Sequence, residues 1–136
     1  MFRILIIEDS NIFRQMLGEA LHNQFPKMDI LEAANGEEAF KKIAAFPPDL
    51  IFMDIKLPGE SGLELTRKVK TLYPNVAVVI LTSYEIPEYR EAATQYKANH
   101  FLAKGSTTKD QIIKLVESIL SERGSHPNGL KPKELS

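Results

Sequence analysis

The chain has 136 residues, of which 43% are hydrophobic and 26% are charged. This length and composition fit a single globular domain with its own core and exclude a disordered chain. The formal net charge of −1 argues against direct DNA binding by this chain, and the absence of cysteine excludes disulfides and thiolate chemistry. No apolar run approaches the roughly 20 residues that span a bilayer. The N-terminus also lacks the features of a signal peptide, so we expect a cytoplasmic domain without membrane contact.

Strands and helices are predicted to alternate along the chain. Apolar runs of strand length, or shorter strand-like patterns, occur at residues 2–7, 29–34, 50–55, 76–81 and 100–104. The longest runs are apolar on both faces, as is typical of parallel strands that have helices on either side. Five such strand–helix units predict an α/β fold with a five-stranded, doubly wound parallel sheet.

Each predicted helix has an apolar stripe at steps of three and four residues. The stripes consist of Ile12, Met16, Leu17 and Leu21; Ala39, Phe40, Ile43 and Ala44; Leu65, Val69 and Leu72; Tyr89, Ala92, Ala93 and Tyr96; and Ile112, Leu115, Val116 and Ile119. Capping boxes are predicted at Ser61 with Glu64 and at Thr108 with Gln111. After Arg123 the composition becomes rich in Gly, Pro and Ser. We therefore predict a domain over residues 1–123 and a flexible tail or linker over 124–136.

Polar residues of complementary kinds follow the predicted strands where each one ends. Glu8 and Asp9 follow the first strand, Asp54 lies at the end of the third, and Thr82 and Lys104 end the fourth and fifth. Because ligands of doubly wound sheets bind at the carboxyl ends of the strands, we expect these side chains to converge.

The converging charges predict a site that binds a metal ion and a phosphoryl group. Three carboxylates close together repel one another, and oxygen ligands without cysteine or clustered histidine favour Mg²⁺. An ammonium and a hydroxyl beside the metal would bind phosphoryl oxygens, while a carboxylate can attack phosphorus. Taken alone, each residue has a plainer interpretation. Glu8 and Asp9 could be an acidic pair at a helix N-terminus, and Asp54 could be a strand-end cap. Thr82 could simply terminate a strand, and Lys104 could be a solvated lysine.

Together these residues resemble the receiver domain of response regulators in two-component signalling. The resemblance extends from about Phe2 to Arg123 and includes the loop LPGESG after Asp54 and the segment FLAKGS around Lys104. It implies a flavodoxin-like (βα)5 fold and a histidine kinase, or a phosphotransfer protein, as the partner.

The resemblance also implies a role for each site residue. Asp54 would be the phosphoacceptor, and Thr82 and Lys104 would contact the phosphoryl group. Asp9, Asp54 and the backbone carbonyl of Lys56 would ligate Mg²⁺, with Glu8 holding a metal-bound water. Phe101 would be the switch aromatic, for which an ordinary core position is the alternative. The side chains of Lys56 and Tyr84 flank the site, where they either tune dephosphorylation or are plain surface residues.

Three residues depart from the family pattern. Glu8 replaces the usual Asp and adds a methylene of reach, and Phe101 replaces the commoner Tyr and lacks its hydroxyl. Gly105 replaces the usual Pro, so the peptide bond after Lys104 is predicted to be trans. His22, His100 and His126 have no ligand spacing and are predicted to be surface residues.

The predicted function is phosphoryl acceptance from the kinase without turnover of a free metabolite. A Mg²⁺-dependent aspartyl-phosphate phosphatase is the rival, although it would need an acid where Lys56 stands. Two outputs remain open. The tail LKPKELS and the segment Ser10–Arg14 resemble LuxR-type transcription factors, whereas a stand-alone receiver would act by protein binding. In either case a homodimer through the fourth helix, fifth strand and fifth helix is possible, and the length of the reading frame would distinguish the two outputs.

Overall fold

Ten regular elements alternate along the computed structural model, which describes residues 1–123. The strands are β1 (Arg3–Ile7), β2 (Asp29–Ala33), β3 (Leu50–Met53), β4 (Ala77–Thr82) and β5 (His100–Ala103). The helices are α1 (Asn11–Gln24), α2 (Gly36–Ala45), α3 (Gly62–Leu72), α4 (Pro87–Gln95) and α5 (Lys109–Glu122). The predicted alternation is confirmed, with strand ends displaced by at most two residues. The predicted tail, with His126, lies outside the described residues.

All five strands are parallel, in the order β2-β1-β3-β4-β5. The chain moves outward from β1 to one edge and then returns to the other side, so the switch point lies between β1 and β3. Ligands of such sheets bind in the crevice at this point, outside the carboxyl ends of the strands. The doubly wound, flavodoxin-like fold is confirmed.

The sheet separates two apolar layers because alternate strand residues face opposite sides. One layer packs with α1 and α5 and contains Ile4, Ile6, Phe52 and Val79. The strand residues that face the other side, such as Leu5, pack with α2, α3 and α4. β1, β3 and β4 are buried almost throughout, which explains their unbroken apolar runs. Among residues 1–123, no helix is long and apolar enough to cross a bilayer.

Four residues of the predicted helical stripes are not core residues. Ile12, Met16 and Leu72 expose 75%, 61% and 64% of their surface, and Ala44 is also exposed. Because each residue turns a helix by about 100°, the stripe that faces the sheet is narrower than the run of apolar residues. In α1 that stripe is centred on Leu17 and Leu21.

Helix capping agrees with the sequence at α5 and differs at α3. Thr108 and Gln111 form the predicted capping box. Ser61 does cap α3, but its hydroxyl accepts from the N–H of Leu63, and Glu64 pairs with Arg67 instead of completing a box. The prediction of a box at Ser61 was therefore wrong, because the nearby guanidinium attracts the glutamate more strongly than the backbone N–H does.

Candidate functional site

Three carboxylates meet at the switch point. Ile7 and Met53 are paired in the sheet, and the N–H of Asp54 donates to the carbonyl of Ile7 at 3.0 Å, so the residues that follow these two strands are neighbours. Glu8, Asp9 and Asp54 each contribute an oxygen to a group whose members lie within 4.8 Å of one another. We call this group, with Lys104 and Thr82, the strand-end site.

Burial differs among the three acids. Glu8 and Asp54 expose only 3% and 7% of their surface, whereas Asp9 is exposed. One oxygen of Glu8 accepts from the N–H of Ser10 at 3.0 Å, and Oδ1 of Asp54 accepts from the N–H of Ile55 at 2.9 Å. Two buried carboxylates are thus grouped with a third that is exposed.

Lys104 supplies the positive charge of the strand-end site. Its ammonium donates to Oε1 of Glu8 and lies 3.8 Å from Oδ2 of Asp54. The ring of Phe13, on α1, lies 4.2 Å from the same ammonium and covers it. An ammonium has three donors, and the bond to Glu8 uses one of them, so further acceptors can bind to Lys104.

Thr82 completes the strand-end site at the end of β4. It is fully buried, and its hydroxyl oxygen accepts from the N–H of Tyr84 at 3.2 Å. Its hydroxyl proton is still available, because accepting a bond leaves an O–H free to donate. The neighbouring Ser83 is exposed.

The two buried acids have pKa values displaced in opposite directions. Burial and the negative charge of Glu8 raise the pKa of Asp54 from 3.8 to about 6, despite the nearby Lys104. Burial alone would raise the pKa of Glu8 too, but hydrogen bonds from Lys104 and from the N–H of Ser10 outweigh it and lower that pKa. Glu8 is therefore the preferred partner of the lysine, and the charge of Asp54 is poorly compensated.

The donor set fits a hard dication. Three carboxylates and one ammonium leave a charge of −2 when all are ionised, which one Mg²⁺ would neutralise. Both oxygens of Glu8 already accept hydrogen bonds, so a contact through water suits this residue, while Asp9 and Asp54 are the acids free for direct ligation. The oxygen-only ligands also suit Mg²⁺ better than a softer metal.

The structure also shows the positions of the other predicted residues. The side chain of Lys56 lies 5.3 Å from the ring of Tyr84 and 5.5 Å from that of Tyr89. Phe101 is half-buried against the core layer under α2, α3 and α4. His22 and His100 are exposed, as predicted, and the chain has no cis peptide bond among its described residues.

Sequence reasoning missed three supports of the site. Phe13 covers Lys104, and Arg14 donates to the backbone carbonyl of Glu8 at 2.7 Å. Gly62 begins α3 so close to β3 that an added Cβ would lie 1.9 Å from the carbonyl oxygen of Asp54. Only the glycine gave a signal, through its place in the loop LPGESG.

Comparison with known proteins identifies the family. The sequence matches the response regulator receiver domain over residues 4–117. The chain belongs to this family. The receiver is 34% identical to the uncharacterized transcriptional regulatory protein YesN of Bacillus subtilis, over 90% of this chain and 33% of that protein. It is 32% identical to the response regulator GacA of Pseudomonas viridiflava, over 85% of this chain and 55% of GacA. The chain thus spans between a third and just over half of these relatives.

Solved structures share the receiver fold. A two-component response regulator from Clostridium difficile, 26% identical, superimposes with a TM-score of 0.84 and covers 92% of this chain and 100% of its own. The response regulator TrrA from Thermotoga maritima, solved in complex with Mg²⁺ and BeF, is 32% identical with a TM-score of 0.77, over 88% of this chain and 100% of that one. The predicted family is confirmed, and this chain is a receiver domain of two-component signalling.

Proposed function

We propose that this receiver accepts a phosphoryl group on Asp54 from the phosphohistidine of a sensor kinase or phosphotransfer protein. The observation that carries the proposal is the placement of Asp54. Its buried carboxylate lies beside Lys104, near two further acids and at the strand ends where ligands bind. A carboxylate whose charge is poorly compensated gains from a ligand that brings positive charge to it.

The transfer would convert one phosphoryl bond into another. A carboxylate oxygen of Asp54 attacks phosphorus, the phosphorus–nitrogen bond of phosphohistidine breaks, and the imidazole leaves with the electron pair and takes up a proton. The product is an acyl phosphate on Asp54. Lys104 and the hydroxyl of Thr82 would donate to the phosphoryl oxygens. The 3.8 Å distance from the Lys104 ammonium to Oδ2 of Asp54 supports this role for the lysine.

We also propose that the strand-end site binds Mg²⁺. Asp9, Asp54 and the backbone carbonyl of Lys56 would ligate the ion, and Glu8 would hold one of its waters. The bound ion would neutralise phosphoryl oxygens and relieve the repulsion among the three acids. The carboxylate of Glu8, which lies one methylene further from the backbone than that of an aspartate, is the one that accepts from Lys104.

Acetyl phosphate with Mg²⁺ provides the test, since it replaces the unknown kinase. The wild-type protein should form a base-labile phosphoprotein, and Asp54→Asn should form none. Asp110→Asn, at an exposed carboxylate in the first turn of α5, is the matched control and should behave like wild type. Catalytic release of phosphate from small monoesters would instead favour a phosphatase, and phosphorylation that persists in Asp54→Asn would refute the assignment.

The output we propose is transcriptional control through a partner or dimer surface formed by α4, β5 and α5. Support comes from the relatives YesN and LnrK of Bacillus subtilis, which are named as transcriptional regulatory proteins. A stand-alone, protein-binding receiver is the alternative, and two solved chemotaxis-type (CheY-like) structures superimpose on this chain with TM-scores of 0.79. A reading frame that continues into a helix-turn-helix domain would support the first output, and a stop codon after Ser136 would contradict it.

A further inference from the structure

Helix α4 is the most weakly anchored helix among residues 1–123. The other four each have a side-chain cap, from Ser10, Asn35, Ser61 and Thr108, whereas the N-cap residue of α4, Ile86, provides none. Of the nine residues of α4, only Ala93 is buried. A helix with so little buried surface opens or shifts at a low free-energy cost, so its remaining contacts determine where it rests.

Arg90 makes two of those remaining contacts. Its guanidinium carbon lies 4.6 Å from the centre of the Phe101 ring on β5. Its Nη2 lies 3.2 Å from a carboxylate oxygen of Glu85, in the loop between β4 and α4. One side chain therefore joins the loop that follows Thr82, the first half of α4 and the predicted switch aromatic.

The two contacts of Arg90 differ in strength. Both partners of the ion pair are about half exposed, at 51% for Arg90 and 56% for Glu85, so water screens their attraction. The planar guanidinium over the half-buried ring keeps its attraction better, because it also covers apolar surface. The contact with Phe101 is therefore the main one, and Glu85 orients the guanidinium from the loop side.

Phosphorylation would act on both contacts. A phosphoryl group on Asp54 that binds the hydroxyl of Thr82 would draw in the loop that carries Glu85, only three residues further on. Rotation of the Phe101 ring away from the surface would separate it from the guanidinium. Both changes remove partners from Arg90, so the contacts that Arg90 makes belong to the unphosphorylated arrangement.

We propose that Arg90 is a positioning residue that holds Phe101 and the N-terminal half of α4 in the unphosphorylated arrangement, and so opposes activation. This role rests on phosphoryl acceptance at Asp54. A ligand that prefers the activated arrangement binds only molecules in which the contact between Arg90 and Phe101 is broken. Its apparent affinity is therefore lower in proportion to the fraction of molecules in which that contact is broken.

Beryllofluoride with Mg²⁺ tests the proposal, because it binds an aspartate carboxylate as a phosphoryl mimic without a kinase. Arg90→Gln should bind beryllofluoride about two- to fivefold more tightly than wild type, the factor expected for an exposed cation over an aromatic ring. Arg90→Lys retains a cation and should lie between the two. The matched control is Arg67→Gln on α3, which removes an arginine that is 47% exposed and paired with Glu64, and which should leave the affinity unchanged.

A double-mutant cycle with Phe101→Leu separates positioning from a general effect on stability. If Arg90 acts through the ring, Arg90→Gln should no longer change beryllofluoride affinity in the Phe101→Leu background. In ligand-free Arg90→Gln, the amide resonances of α4 and β5 should also move toward their positions in the beryllofluoride complex.

Three outcomes would overturn the proposal. Unchanged or weaker beryllofluoride binding by Arg90→Gln would show that the contact does not oppose activation. An equal effect of Arg90→Gln with and without the Phe101 ring would show that it acts elsewhere. Failure of the wild type itself to bind beryllofluoride would instead refute the function proposed for Asp54, and the positioning role with it.

Discussion

Replacing Asp54 with asparagine should stabilise the metal-free receiver at pH 8. The carboxylate is buried next to Glu8, and its pKa rises from 3.8 to about 6. Asparagine keeps nearly the same shape and retains an oxygen that can accept from the N–H of Ile55. The substitution therefore removes a poorly compensated charge and leaves the surrounding packing in place.

The size of the effect follows from the pKa change. Each tenfold change in proton affinity corresponds to about 1.4 kcal/mol, so a rise from 3.8 to about 6 destabilises the ionised native state by up to about 3 kcal/mol. Because Asp9, the third carboxylate of the group, is exposed, we expect water to screen part of the repulsion and the gain for Asp54→Asn to be about 1–3 kcal/mol.

The pH dependence has a definite sign. The pKa of Asp54 is higher in the native state than in the unfolded chain, so the native state binds the proton more tightly. The contribution of Asp54 to the free energy of unfolding of the wild type therefore falls as pH rises from about 4 to about 6, and it stays low above that range. The advantage of Asp54→Asn should be full at pH 8 and should disappear near pH 3.5.

Urea unfolding followed by circular dichroism, with a chelator present, measures this difference. Asp110→Asn, at an exposed carboxylate, should change the free energy of unfolding by less than about 0.5 kcal/mol. Asp54→Asn that is less stable than wild type at pH 8, or a difference that does not depend on pH, would refute the charge-repulsion reasoning.

Three further predictions concern the supports of the fold and the metal. Gly62→Ala should lower the free energy of unfolding, measured with urea, by about 2–4 kcal/mol, because its Cβ would overlap the carbonyl of Asp54. The control Gly105→Ala adds a Cβ in open space and should change this free energy by less than about 1 kcal/mol. Thr108→Ala should cost about 0.5–2 kcal/mol by the same assay, since it removes the capping box of α5, and an effect no larger than that of the exposed Ser106→Ala would contradict this. Millimolar Mg²⁺ should raise the melting temperature of the wild type by selective binding to the native state, and the rise should be lost in Asp54→Asn; equal rises in both would place the ion elsewhere.

Much of the fold could be predicted because buried parallel strands leave a strong sequence signal. The runs at β1, β3 and β4 are apolar on both faces, and this pattern located those strands to within two residues. The helical stripes were less reliable. Ile12 and Met16 have the right spacing but point away from the sheet, because spacing does not reveal which side of an apolar stripe packs inward.

The candidate site was predictable where its residues lie at strand ends. Glu8, Asp54 and Lys104 each follow a parallel strand, so the expectation that they meet at one edge of the sheet needed only the positions of the strand ends, and the contacts of Lys104 with both acids agree with it. Contacts such as Phe13 over Lys104 and Arg90 over Phe101 depend on how side chains of one element lie against another. No spacing along the chain encodes such contacts, and for that reason they required the structure.

The most direct measurement of the central claim is the position of the covalent phosphoryl group. After reaction with acetyl phosphate and Mg²⁺, borohydride reduces an acyl phosphate of aspartate to homoserine, and peptide mass spectrometry then locates the modified residue. Homoserine at position 54 alone, absent when Mg²⁺ is withheld, is the predicted result. Modification at Glu8 or Asp9, or no modification of a folded protein, would contradict the assignment of Asp54 as the phosphoacceptor.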